Sequence, residues 1–151
     1  MKVLMVCLGN ICRSPLAEGI LRRKVEEKDL NWQVDSAGTG SWHVGELPDS
    51  RSIDVGAKYG IDLKSQRARQ FKKIDLERFD LIFAMDSSNY QNILKLAENN
   101  TQKEKVKLIM NEASPGRNEA VPDPYWDDDG FEKVYQMLDK ASTKIIENYS
   151  S

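Results

Sequence analysis

The amino-acid sequence predicts a single α/β domain built on a four-stranded parallel sheet with helices on both faces. Short apolar runs alternate with segments in which apolar residues recur at helical spacing. The chain has 151 residues, a usual length for one domain, and no internal repeat or long linker divides it. Because strands that alternate with helices form parallel sheets through right-handed crossovers, ligands are expected beyond the carboxyl ends of the strands.

The first predicted strand runs from Lys2 to Leu8, a largely apolar stretch typical of a strand that is buried on both faces of a sheet. A helix is predicted directly after the Gly9-Asn10 turn, since Ser14 is a good cap residue and Pro15 is tolerated in a first turn. The apolar stripe of this helix comprises Leu16, Ile20, Leu21 and Val25.

A second strand and a second helix follow. Trp32 to Gly38 is predicted to be a strand that ends in a turn. Asp49 to Tyr59 is predicted to be a helix, with Asp49 or Ser50 as its cap and Gly60 at its end. The candidates for the inward face of this helix are Ile53, Val55 and Ala57.

The second half of the chain continues the alternation. Phe79 to Met85 is predicted to be a third buried strand, and Asp86 begins the turn and cap of the next helix. Asn99 to Lys105 is polar and is predicted to be an exposed connection, followed by a fourth strand near a sheet edge from Val106 to Met110. Gly130 to Tyr149 is the closing helix, with a stripe of Phe131, Val134, Leu138, Ala141, Ile145 and Ile146.

Composition narrows the function classes. Charged residues are 30% of the chain but leave a formal net charge of only −2, which favours neither nucleic acid nor an anionic membrane as a partner. No segment has the length of a signal-peptide core or a membrane span, so a cytoplasmic protein is expected, as a monomer or weak dimer. Two cysteines and one histidine, His43, are too few for a disulfide scaffold or a zinc site, so neither a metal nor a cofactor is expected.

The turn between the first strand and the first helix carries the candidate chemistry. A strand, a tight loop and a helix N-terminus together present backbone N–H groups to a tetrahedral anion such as phosphate. Cys7 and Arg13 lie at the two ends of this loop, five residues apart, so a nucleophilic thiolate and a bidentate guanidinium can face one anion. A helix terminus contributes at most about 2 kcal/mol, so the loop amides, Arg13 and the Ser14 hydroxyl must share the stabilisation of a thiolate.

The stretch Val6-Cys7-Leu8-Gly9-Asn10-Ile11-Cys12-Arg13-Ser14-Pro15 resembles the phosphate-binding loop of the low-molecular-weight protein tyrosine phosphatase family. The resemblance implies a flavodoxin-like fold of the phosphotyrosine phosphatase I type, and it implies that Leu8, Gly9, Asn10, Ile11, Cys12 and Ser14 form the phosphate-binding loop. It also implies that Ser36 hydrogen-bonds into the loop and steadies Asn10 in a left-handed conformation. Gln66 takes the place of a histidine common in the family, and it can keep a hydrogen bond to Ser36 or Asn10 without carrying charge.

A later segment, Val121-Pro122-Asp123-Pro124-Tyr125, offers a proton donor for the leaving oxygen. From spacing alone Asp123 is equally an acidic surface residue, but Asp-Pro-Tyr in the late loop of the family carries the general acid, so the resemblance implies that role. Trp126 stands where many members have a second tyrosine. With Tyr125, and with Trp42 and His43 from the loop after the second strand, it is expected to line the substrate cleft.

The resemblance therefore implies a protein tyrosine phosphatase, a hydrolase that acts on phosphotyrosine proteins or small aryl phosphates through a phosphocysteine and releases inorganic phosphate. In relatives that share both cysteines, the residue equivalent to Cys12 forms a reversible disulfide with the nucleophile. An arsenate reductase on the same fold is an alternative, which the lack of cysteines after Cys12 disfavours. A phosphotyrosine-binding or redox-sensing module is another, but binding alone requires neither Cys7 nor Asp123.

Overall fold

Four parallel strands form the central sheet of the computed structural model, which describes residues 1–150. They are β1 (Lys2–Cys7), β2 (Gln33–Gly38), β3 (Leu81–Ala84) and β4 (Val106–Leu108). The strand order is β2-β1-β3-β4, and every pairing is parallel. β1 is therefore flanked on both sides, while the short β4 lies at an edge as predicted.

Seven α-helices connect and cover the strands. Their bounds are α1 (Arg13–Glu27), α2 (Ser50–Lys58), α3 (Asp75–Arg78), α4 (Ser87–Leu94), α5 (Asn100–Lys105), α6 (Met110–Ala113) and α7 (Gly130–Tyr149). A single 3-10 turn, Pro124–Trp126, precedes α7. The bounds predicted for α7 are confirmed, and the predicted stripes of α1 and α7 are buried throughout.

Successive residues of β1 pack into opposite layers of the core. Val3, Met5 and Cys7 join the apolar cluster that α1 and α7 complete, whereas Leu4 and Val6 join the cluster that α3 and α4 complete. This alternation explains why the strand is apolar at nearly every position: both of its faces are covered. The predicted arrangement of helices on both faces is confirmed.

Short polar residues set the ends of two helices as predicted. The Asp49 carboxylate accepts a hydrogen bond from the backbone N–H of Arg51 at 2.9 Å, which caps α2. The Asp86 carboxylate accepts from the N–H of Asn89 at 2.8 Å, which caps α4. Gly60 follows α2 with φ +79°, a left-handed conformation that glycine adopts without steric cost.

Two local predictions outside the phosphate-binding loop are corrected by the structure. The segment Asn99 to Lys105 is exposed at most positions, as predicted, but it also contains α5, which was not predicted. The Asn99 side chain accepts from the N–H of Gln102 at 2.9 Å and caps this helix. Lys105 then ties this polar helix to the fold by donating to the Leu76 carbonyl at 2.8 Å. Ala57 is exposed, since the buried side of α2 is formed by Ser52, Val55 and Gly56.

The carboxyl ends of three neighbouring strands meet at one edge of the sheet. Cys7 ends β1, Gly38 ends β2, and Asp86 follows β3 by two residues. Within residues 1–150, no helix has the length and apolar character needed to span a membrane. The same residues contain no group of three or more His, Cys, Asp or Glu side chains placed to hold a metal ion.

Candidate active site

The loop between β1 and α1 is shaped by an unusual residue conformation and a close approach. Asn10 has φ +57°, the left-handed conformation that the family resemblance implied. Gly38 lies directly beneath the loop, where a Cβ atom would stand 2.7 Å from the Leu8 carbonyl oxygen. Among the described residues, several N–H groups of this loop find no protein acceptor and remain available to an anion, those of Gly9, Ile11, Cys12 and Arg13.

Cys7 lies at the floor of the loop with its sulfur in contact with two hydrogen-bonding groups. The Asn10 N–H donates to Cys7 Sγ at 3.3 Å, and Ser14 Oγ lies 3.0 Å from the same sulfur. The predicted role of Ser14 as helix cap is wrong, because α1 begins at Arg13 with no side-chain cap. The Ser14 hydroxyl instead contacts the Cys7 sulfur.

The orientation of Asn10 determines where the serine protons point. Asn10 Oδ1 accepts from the Arg69 N–H at 3.0 Å, so its amide group donates to Ser14 Oγ at 2.8 Å and to Ser36 Oγ at 3.0 Å. The contact predicted between Ser36 and Asn10 is therefore present. Since each serine oxygen accepts from Asn10, the Ser14 proton can point to the Cys7 sulfur at 3.0 Å or to the more distant Ala37 carbonyl at 3.5 Å, and a Cys7 thiolate would draw it to the sulfur.

Ser36 passes the network on to a carboxylate that the sequence analysis missed. Its hydroxyl donates to Glu18 at 2.6 Å, and Glu18 forms an ion pair with Arg22 at 2.7 Å. Burial raises the pKa of Glu18 above its ordinary value, opposed by the hydrogen bond from Ser36 and by the charge of Arg22. Glu18 lies at helical spacing from Leu21 and Val25, so it falls on the buried stripe of α1. This helical spacing is the sequence signal that could have identified Glu18 as a buried carboxylate.

Gln66 does not occupy the expected position in this network. Its amide nitrogen donates to the Pro15 carbonyl at 3.0 Å, and its buried Oε1 has no partner among the described residues. The predicted hydrogen bond to Ser36 or Asn10 is absent, because Asn10 and Ser36 are already paired with each other and Ser36 with Glu18. Gln66 therefore supports the start of α1 and not the loop asparagine.

Arg13 is a buried cation with its guanidinium fixed by two acceptors. Its Nη1 forms an ion pair with Asp86 at 2.7 Å and donates to the Val121 carbonyl at 3.0 Å. Burial opposes the charge of Arg13, but Cys7 and Asp86 outweigh it and hold the pKa of the guanidinium above its ordinary value. The sequence analysis identified Asp86 only as a helix cap, because its 73-residue separation from Arg13 hides the pairing.

Asp123 reaches the same site from the segment before α7. Its Oδ2 lies 3.9 Å from Arg13 Nη2, and its Oδ1 accepts from the Tyr125 N–H at 3.1 Å. The side chain is 39% exposed, so its carboxyl group can exchange protons with solvent. The structure thus brings together the three residues predicted to be catalytic, although the chain separates them by more than 100 positions.

A cavity of about 270 Å³ opens above Cys7 and Arg13. Leu8, Ile11 and Cys12 of the loop line it, and all four residues predicted for the cleft line it as well: Trp42, His43, Tyr125 and Trp126. The Trp126 side chain is the most exposed of these, and its ring meets that of Tyr125 edge-on at 4.8 Å. His43 pairs with Glu46 at 3.0 Å and packs over Gly9. The walls suit a flat aromatic group.

The second cysteine of the loop differs chemically from the first. Both cysteines are free thiols. Burial, followed by the negative charge of Asp49, raises the pKa of Cys12 to about 12. Cys12 therefore stays protonated near neutral pH, whereas Cys7 faces Arg13 and the Ser14 hydroxyl.

Comparisons with known proteins agree with this geometry. The family model described as "Low molecular weight phosphotyrosine protein phosphatase" matches residues 2–150. A protein of that name from Schizosaccharomyces pombe is 46% identical over 151 residues, covering 97% of this chain and 96% of its own. A solved protein tyrosine phosphatase from Entamoeba histolytica, with Hepes in the active site, has a TM-score of 0.93 at 36% identity and covers 99% and 97% of the two chains. A solved Drosophila arginine phosphatase also has a TM-score of 0.93, at 34% identity and 100% and 99% coverage. The chain belongs to the low-molecular-weight phosphotyrosine protein phosphatase family, whose members are hydrolases.

Proposed function

We propose that the chain hydrolyses phosphotyrosine, and small aryl phosphates, in two displacements on Cys7. The observation that carries this proposal is the convergence of Cys7, Arg13 and Asp123 on one cavity with aromatic walls. In the first displacement the Cys7 thiolate attacks phosphorus in line, while Arg13 and the loop N–H groups hold the equatorial oxygens. Asp123 protonates the departing aryl oxide, which leaves as a phenol.

The second displacement regenerates the thiolate. Asp123, now ionised, takes a proton from water as the water oxygen attacks phosphorus of the phosphocysteine, and inorganic phosphate leaves. Ser14 donates a hydrogen bond to the sulfur in the thiolate state, which makes the sulfur both a stable anion and a good leaving group. We assign one catalytic domain to residues 1–151 on this basis.

The cavity favours an aromatic phosphoester over a phosphorylated guanidinium. One solved relative is an arginine phosphatase, so the substrate class requires an argument from this chain. The apolar side chains of Leu8 and Ile11 and the rings of Tyr125 and Trp126 line the cavity, which fits a phenyl ring. A phosphorylated guanidinium would need a carboxylate partner, and Asp123 is the one carboxylate among the lining residues. Asp123 already lies 3.9 Å from the Arg13 guanidinium.

A reducing compartment suits this chemistry. Cys7 must be a free thiolate to attack phosphorus, and Cys12 is a second free thiol in the same loop. We therefore propose a cytoplasmic enzyme. We also propose a monomer or weak dimer. Several of the large apolar side chains that remain exposed line the cavity, where a stable interface would block substrate: Leu8, Trp42, Tyr125 and Trp126.

The test is phosphate release from aryl phosphates in the presence of a chelator. Cys7→Ser should abolish turnover, since an alkoxide is not available at neutral pH. Asp123→Ala should lose about 10²–10⁴ in rate on a poor leaving group and much less on a good one, because only the poor one requires protonation. A phosphotyrosine peptide should be cleaved in preference to a phosphoarginine peptide. Turnover by Cys7→Ser, or preference for phosphoarginine, would refute the proposal.

A further inference from the structure

The first turn of α2 is anchored to the phosphate-binding loop at two points. The Asp49 N–H donates to the Ile11 carbonyl at 2.7 Å, and Ser52 Oγ donates to the Cys12 carbonyl at 3.0 Å. Ser52 is fully buried. This turn therefore moves with the loop that carries the nucleophile.

The same turn reaches the segment that carries Asp123. Arg51 Nη2 donates to the Tyr125 carbonyl at 3.0 Å, and Arg51 Nη1 forms an ion pair with Asp128. The guanidinium carbon also lies 5.6 Å from the centre of the Tyr125 ring and 4.7 Å from that of Phe131. Arg51 thus contacts the backbone and the ring of Tyr125 within the 3-10 turn, and the side chains of Asp128 and Phe131 beyond it.

Arg51 is itself held rigidly. Its Nε and Nη2 donate to the two oxygens of the Asp49 carboxylate at 3.0 and 2.9 Å. This two-point pairing fixes the plane of the guanidinium, which leaves its remaining N–H groups directed at the Tyr125 carbonyl and Asp128. A lysine ammonium cannot reproduce the planar arrangement.

The Asp123 segment has few other ties to the rest of the molecule. At its start, Val121 is bound by Met85 and Arg13 through its N–H and carbonyl. From residue 122 to residue 130, and apart from the backbone bonds of α7, which begins at Gly130, the remaining hydrogen bonds among the described residues lie within the segment itself. Arg51 is therefore the hydrogen-bonding tie to the rest of the molecule on the far side of Asp123.

We infer that Arg51 is a positioning residue, which holds the general-acid segment at a fixed place relative to the nucleophile loop. It acts through the Tyr125 carbonyl, two residues beyond Asp123, and α2 links the two segments rigidly. The inference rests on the proposed role of Asp123 as general acid. A displacement of about 1 Å at a reacting group costs up to about 100-fold in rate, so loss of Arg51 should selectively impair proton donation.

The test measures kcat/KM over a series of aryl phosphates that runs from good to poor leaving groups. Arg51→Met keeps the length of the side chain and its packing on Phe131 but removes the hydrogen bonds. It should lose about tenfold on the poorest leaving group and less than about twofold on the best. Arg51→Lys should behave similarly. Lys58→Met is the matched control, since Lys58 is also on α2 and in an exposed ion pair, with Glu132 of α7, away from the acid segment.

A double-mutant cycle with Asp123→Ala decides whether Arg51 acts through the acid. In that background Arg51→Met should add no further dependence on the leaving group. Three results would each overturn the inference and leave the proposed function intact. In the first, Arg51→Met depends on the leaving group as the native chain does. In the second, the loss in kcat/KM is equal across the whole series, and in the third, the leaving-group effect of Arg51→Met persists without Asp123. An inactive native chain, or an Asp123→Ala variant with no leaving-group effect, would refute the proposed function and the inference with it.

Discussion

Replacing Asp86 by asparagine should destabilise the native fold through Arg13 and not through the helix that Asp86 caps. Arg13 is 3% exposed, and its close ion pair is the 2.7 Å contact with Asp86. Breaking a buried ion pair by removing one partner costs about 3–5 kcal/mol. Because the Asp86 side chain is 25% exposed, we expect a smaller loss, of about 2–3 kcal/mol.

Two substitutions of Asp86 distinguish the contribution of the ion pair to stability from that of the helix cap. An asparagine oxygen can still accept from the Asn89 N–H, so Asp86→Asn keeps the cap of α4, whereas Asp86→Ala should lose about 1 kcal/mol more. Asp62→Asn is the control, since Asp62 is exposed and its carboxylate accepts only from the Lys64 N–H. This control should change stability by less than about 0.5 kcal/mol.

Urea denaturation with and without inorganic phosphate is the assay. We expect inorganic phosphate to bind the native state beside Arg13 and to supply the missing negative charge, so it should stabilise Asp86→Asn by more than it stabilises the native chain. A loss below about 0.5 kcal/mol in Asp86→Asn, or an equal gain from phosphate in both proteins, would refute the view that Asp86 balances the buried charge of Arg13.

Three further outcomes follow from the site. Iodoacetamide near neutral pH should modify Cys7 and spare Cys12, because the pKa of Cys12 is raised to about 12 and its thiol stays protonated; mass spectrometry that finds Cys12 labelled would contradict this. Burial raises the pKa of Glu18 above its ordinary value of 4.5, so the folded state holds its proton more tightly than the unfolded state. The native chain should therefore lose stability relative to Glu18→Gln as pH rises above 4.5, which urea denaturation at several pH values would measure. A relative gain in stability over that range would contradict the prediction. Gly38→Ala should lower the free energy of unfolding by about 1–3 kcal/mol and impair turnover, because its Cβ would meet the Leu8 carbonyl oxygen at 2.7 Å. Calorimetry would measure the loss of stability, and an unchanged melting temperature with an unchanged rate would contradict the prediction.

Local sequence signals predicted the catalytic strand-loop-helix unit well. The apolar run of the first strand and the stripe of α1 are set by neighbours in the chain, so periodicity was enough to place them, although the helix cap assigned to Ser14 was wrong. The predicted family and fold class are confirmed. The short α5 was missed because a capping asparagine and a distant backbone contact stabilise six polar residues that have no apolar stripe.

Contacts between distant segments were beyond local signals. Asp86 and Arg13 lie 73 positions apart, and Arg51 and Tyr125 lie 74 apart. No local sequence pattern distinguishes Asp86 or Arg51 from the charged residues on the surface. Glu18 was also missed, although its place on the buried stripe of α1 could have marked it as a carboxylate that requires a partner.

The strand order explains why these distant residues reach the loop that follows Cys7. β1 is central, so Cys7 at its carboxyl end has β2 on one side and β3 on the other. β2 supplies Ser36 and the close approach at Gly38, and the turn after β3 supplies Asp86. A loop at an edge strand would have one such neighbour. The central position therefore lets one short loop hold an asparagine in a left-handed conformation and a buried arginine at the same time, each braced from a different strand.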